Sequence, residues 1–207
     1  MVLLSTAYFA PIVYYSLLLS DDTEIIIEKH ENFNKQSYRN RCTIYTANGL
    51  LDLVVPIVKT EKLKIPISEV EISYDTSWQK LHFKAIESAY RRSPFYQYYI
   101  DDLMIFFNRR HRLLYDFNMQ IMQKMCSLIK IPFHVRESDE FVKSGEGIID
   151  LRDSIHPKKH DRAESEHPFP CYTQVFADKW GFKPNLSILD LLFNVGPEVK
   201  KMFLSRV

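Results

Sequence analysis

The stretch Lys35-Gln36-Ser37-Tyr38-Arg39-Asn40-Arg41 gathers cationic, aromatic and carboxamide side chains just ahead of a strand expected from Cys42 to Tyr45. A strand alternates its faces, so Arg39 and Arg41 are expected on one side, with Tyr38 and Asn40 on the other. Two guanidinium groups on one face make a fork suited to a phosphate or carboxylate. In that arrangement Lys35 adds charge, Tyr38 stacks on a ring or walls the pocket, and Asn40 orients polar groups.

His82 follows Trp78 by about one helical turn. A neutral imidazole there is a candidate general base near pH 7. The competing reading is a half-buried histidine bonded to backbone or water. His156, His160 and His167 include the four-residue interval of helical metal ligands, but Pro157 and Pro168 oppose a helix and no HExxH pattern occurs, so no metal is assigned. Asp150-Leu151-Arg152-Asp153 ahead of His156 could support acid–base chemistry. A solvated turn with a surface ion pair is the favoured reading. The junction of the first strand with the helix at Pro11 could hold an anion on free N–H groups. No glycine lies between Ser5 and Pro11, which excludes the familiar phosphate loops.

These groups must be carried by an ordered scaffold. Val2 to Phe9 reads as a strand and Pro11 opens a helix to about Leu19. Ile25-Ile26-Ile27 marks a buried strand within Glu24 to Lys29. Asn48-Gly49, between Cys42–Ala47 and Leu50–Val58, signals a hairpin with both turn residues at positive φ. Ile67 to Ser73 is a further strand candidate. Trp78, Leu81, Ala85, Ile86 and Ala89 then follow a helical period, and helices are expected over about 95–108 and 112–130. Phe133 to Glu137 returns as a strand, and two short helices close the chain around Gly196-Pro197. The sum is an α/β fold, a mixed β-sheet from the N-terminal half with helices packed on it, and a helical middle and C-terminus. One domain over 1–207 is expected, with 138–185 loop-rich and 186–207 a C-terminal helical segment.

Lys and Arg number 27 against 26 Asp and Glu, which gives no broad positive field for nucleic acid. Cys42, Cys126 and Cys171 are odd in number and widely spaced, as in a reduced, cytoplasmic protein. Cys126 is expected in the core and Cys171 exposed. Residues 1–20 contain no charged side chain, yet the missing basic start, Pro11 and the interspersed Ser, Thr and Tyr argue against a signal peptide or membrane insertion.

The run Phe33-Asn34-Lys35-Gln36-Ser37-Tyr38-Arg39-Asn40-Arg41, then Leu53-Val54-Val55-Pro56-Ile57, resembles the WbqC-like protein family. So does Trp78 with His82, Ile86, Tyr90 and Pro94-Phe95, while Asn185 to Asp190 resembles a Bacteroidetes branch of it. Tyr8-Phe9 and Pro11 fit the pattern near the first strand. The family's usual Gln-Pro is replaced there by Thr6-Ala7, and an acidic position before the basic motif is His30. The resemblance implies a cytoplasmic role in surface-polysaccharide (O-antigen-type) biosynthesis. The expectation is a transferase for a small anionic substrate, phosphorylated or nucleotide-activated. Its substrate-binding residues would be Tyr8, Lys35, Tyr38, Arg39, Asn40, Arg41 and Trp78, and His82 its catalytic base. No cofactor is identified. The alternative is a non-enzymatic binding or scaffold protein of an envelope-synthesis assembly, with a protein partner.

Overall fold

Two unbroken apolar runs ending in a polar residue build the centre of the protein. They are β1 (Val2–Ser5) and β2 (Ile25–Glu28), and every residue of both is buried. Strands covered on both faces read this way, because neither side needs a polar residue. The computed structural model describes residues 1–19, 23–61, 64–159 and 169–204. In it, β3 (Arg41–Thr46) and β4 (Gly49–Val54) form an antiparallel pair of their own. Two short strands, β5 (Val135–Glu137) and β6 (Ile149–Asp150), join β1 and β2 in a parallel sheet of order β5-β2-β1-β6. The chain is thus a mixed α/β fold.

β2 and β5 extend the sheet to one side of β1, and β6 lies on the other. The order therefore reverses between β1 and β6. In open parallel sheets, ligands bind at the carboxyl ends of the strands beside such a reversal. Ser5, Glu28 and Asp150 end their strands at this edge.

The helices are α1 (Ile12–Leu17), α2 (Trp78–Tyr90), α3 (Tyr96–Leu103), α4 (Ile105–Asn108), α5 (Leu114–Leu128), α6 (Ala177–Trp180), α7 (Ile188–Val195) and α8 (Val199–Leu204). In α2 the buried face is Trp78, His82, Ile86, Ala89 and Tyr90, whereas Leu81 is 63% exposed. The apolar stripe is rotated from the expected one because His82 enters an aromatic cluster. The helix expected over 95–108 divides at Met104.

Three further expectations are corrected. Ile67–Glu69 is a turn of 3-10 helix rather than part of a strand, and only isolated bridges at Glu71 and Ile72 follow it. The hairpin turns on Ala47 and Asn48, and only Gly49 has a positive φ, of 100°. That glycine follows the turn and supplies the twist a left-handed residue gives most cheaply. The start of α1 is closed to anions. Ile12 N–H donates to the Leu186 carbonyl and Val13 N–H to Asn185 Oδ1. Ser187 Oγ donates to the Phe9 carbonyl, so the segment ahead of α7 seals this junction.

Cys126 is buried and Cys171 is exposed, as expected, and Cys42 is buried as well. No helix among the described residues is long and apolar enough to cross a membrane.

Candidate functional site

Two guanidinium groups meet at the strand ends, each held by a carboxylate. Arg39, in the turn before β3, donates from Nε to Glu31 Oε1 at 2.8 Å and from Nη2 to Oε2 at 2.5 Å. Its Nη2 also donates to Ser5 Oγ at 2.7 Å, and Ser5 Oγ donates to Glu31 Oε2. Arg152, just beyond β6, donates from Nε and Nη2 to Asp150 at 3.0 and 2.6 Å. Its Nη1 lies 3.4 Å from Glu28 Oε2. Bidentate pairs of this kind fix the plane of a guanidinium as well as its charge.

Glu28 is wholly buried and accepts from the His30 and Val142 amides and from Ser138 Oγ. A buried carboxylate with that many donors is fully solvated by protein, so the cost of its burial is met locally. Hydrogen bonds from Arg152 hold the Asp150 carboxyl down at about 2, so it stays ionised at neutral pH.

Glu31, Asn34, Arg39, Phe141, Asp150 and Arg152 line an open cleft of about 430 Å³. That volume is of the size that takes a small-molecule ligand. Arg39 and Arg152 also border a small pocket of about 10 Å³, with Ser5, Thr6 and Tyr14. Thr6 Oγ1, also buried, has no hydrogen-bond partner among the described residues. Arg39 Nη1 makes no hydrogen bond to a described residue, yet it is not one of the polar atoms sealed from solvent. It is a donor without a partner among the described residues.

The residues singled out in the sequence separate into three places. Arg39 belongs to the cleft. Arg41 pairs with Asp52 across the hairpin at 3.0 Å, so the two arginines do not form one fork. Tyr38 borders the small pocket and, with Arg41, a second cleft beside β4. Asn40 Nδ2 donates to the Val55 carbonyl, and Lys35 is exposed. Tyr8, Trp78 and His82 lie apart in the aromatic core. The Tyr8 hydroxyl is 3.0 Å from His82 Nδ1, and Trp78 packs edge-on against the imidazole. Burial lowers the His82 pKa to about 4, partly offset by a hydrogen bond to the Val54 backbone. His82 is therefore neutral at pH 7, and it does not line the cleft at Arg39. His160 and His167 lie outside the described residues, among which no group of three or more metal-ligating side chains occurs.

Ser5, Glu28, Glu31 and Phe141 were not singled out by sequence reasoning, and Asp150 with Arg152 was read as a surface turn. A signal was present at Glu28, a carboxylate closing a β-branched run. An acid at the end of a buried strand has to find donors there.

The model of the WbqC-like protein family matches residues 6–160. The chain belongs to the WbqC-like protein family. The WbqC-like span contains Glu28, Glu31, Arg39, Phe141, Asp150 and Arg152, and begins immediately after Ser5. A curated relative, "Uncharacterized protein Rv1507c" of Mycobacterium tuberculosis (strain ATCC 25618 / H37Rv), is 27% identical over 207 residues, covering 89% of each chain. No solved structure matches this WbqC-like chain.

Proposed function

We propose that this WbqC-like chain binds a phosphorylated or nucleotide-activated sugar in the cleft at the ends of β1, β2 and β6. It would act there as a transferase in surface-polysaccharide biosynthesis. The observation that carries the reading is the pair Arg39 and Arg152, each immobilised by a carboxylate beside the reversal in strand order. Glu28, Glu31 and Asp150 outnumber the two guanidiniums, so the local field does not draw in bare anions. Recognition must come from directed donors and acceptors. A sugar phosphate fits better than inorganic phosphate, because its hydroxyls can donate to carboxylates while its phosphate accepts from arginine. In transfer, preset guanidinium donors would stabilise charge growing on the departing phosphate oxygens.

Isothermal titration with a panel of sugar 1-phosphates tests this. Arg152→Gln removes one donor set while leaving Asp150 at a part-exposed position. The expected loss is on the order of 10- to 100-fold in affinity, the range of a charge-assisted bond. Equal affinity in Arg152→Gln and the parent protein would sink the assignment.

A second reading is a scaffold, and one observation favours it. Leu50, Leu51 and Val54 are 54%, 41% and 40% exposed along β4, which has no strand beyond it among the described residues. An open apolar edge is a template for a partner's strand. Leu51→Glu would abolish partner capture in that case and leave sugar-phosphate binding intact.

A further inference from the structure

The loop after β5 presents an aromatic ring to the cleft. Ser138 Oγ and the Val142 amide both donate to Glu28, at 2.7 and 2.8 Å, so the loop is pinned on either side of residues 139–141. Between these anchors Phe141 is 50% exposed and lines the cleft. The Arg152 guanidinium sits 5.1 Å from its ring centroid. Arg152 is held in turn by Asp150, so the ring rests on a fixed support.

Phe141 offers apolar surface among the charged groups of the cleft, and covering that surface with a ligand is favourable. We propose that Phe141 is a stacking platform for the base of a nucleotide, whose phosphates reach Arg39 and Arg152. This rests on the cleft being the substrate site, and it names a nucleotide as the substrate class. Two arguments select a base over a sugar ring. A guanidinium against one side of the ring draws on the electron density of its π face. That weakens attraction for the slightly positive C–H groups of a sugar and leaves planar stacking in place. The surplus of carboxylates also weakens phosphate binding taken alone, so affinity must come from apolar contact. Base–aromatic stacking supplies it without regard to which base is present.

Titration of the whole chain with ADP, GDP, UDP, CDP and ribose 5-phosphate tests the platform. At least one nucleoside diphosphate should bind on the order of 10-fold tighter than ribose 5-phosphate. Phe141→Ala should erase that advantage and bring the nucleotides down to the level of ribose 5-phosphate, whereas Phe141→Trp should keep it. A cooperative unfolding transition in Phe141→Ala shows that the variant is folded. If all five ligands bind equally and weaken together in Arg152→Gln, the cleft is the substrate site and the platform is refuted. An advantage that survives in Phe141→Ala refutes it as well. No binding by any of the five overturns the platform, and the sugar 1-phosphate titration decides the cleft reading separately.

Discussion

Glu31 holds Arg39 through both carboxylate oxygens, and neither side chain is more than 7% exposed. The pair joins the segment after β2 to the turn before β3, and Ser5 ties both to the end of β1. Two desolvated charges offset one another at little net gain, but either one alone in the interior is costly.

Removing one partner is therefore worse than removing both. Glu31→Ala should cost about 3–5 kcal/mol in urea unfolding. The double variant Glu31→Met, Arg39→Leu should recover much of that loss. Single and double variants of equal stability would show that the interior pair is not what the fold depends on.

His82 gives the fold a pH dependence of definite sign. Its pKa is lowered from 6.5 to about 4 by burial, so the unfolded chain binds the extra proton between those values. Stability is unaffected above pH 6.5 and falls as the pH drops from 6.5 through 4. The loss should reach roughly 3 kcal/mol relative to a His82→Gln variant, which lacks the titrating ring. Unfolding curves for both proteins at pH 7, 5.5 and 4 measure the difference.

Asp190, on α7, acts in the opposite direction. Burial raises its carboxyl from 3.8 to about 6, against the hydrogen bonds that Tyr172 and Gln174 donate to Oδ2. A raised acid contributes stability that is fully present below pH 3.8 and lost as the pH rises through 6. Compared with Asp190→Asn, the parent should lose roughly 3 kcal/mol over that rise. Between pH 4 and 6 the His82 and Asp190 effects nearly cancel. The parent protein should show a flat profile there, and each single variant a sloping one.

Gly196, which follows α7, has φ of 61°, and a Cβ built on it would lie 2.5 Å from the Phe95 ring. Gly196→Ala should lower stability by about 2 kcal/mol or more through backbone strain and overpacking. Pairing it with Phe95→Ala relieves the clash alone, so the double variant should still melt below Phe95→Ala. A Gly196→Ala protein as stable as the parent would mean that the backbone there adapts.

Much of the scaffold was legible from local pattern. The apolar runs at Val2–Ser5 and Ile25–Glu28, the helical period from Trp78 and the hairpin beside Asn48-Gly49 each bury a face that their own residues define. β6 was not legible, because two residues carry no period. The face of α2 was misjudged since Leu81 is the more apolar residue, yet His82 has the Tyr8 hydroxyl waiting for it. Arg39 and Arg41 were placed together on the assumption that strand alternation already applied at Arg39. The strand starts at Arg41, so Arg39 lies in the turn, where alternation says nothing.

By itself, the sequence determined what short-range physics controls: the α/β class, the order of most elements, and a cationic turn ahead of β3. The partners of that turn were decided only by the tertiary structure. Ser5 meets Arg39 and the Arg152 carbonyl across 34 and 147 residues, and Glu28 meets Arg152 across 124. Apolar burial sets where the strands end. The charges left at those ends then have to satisfy one another, whatever their distance along the chain.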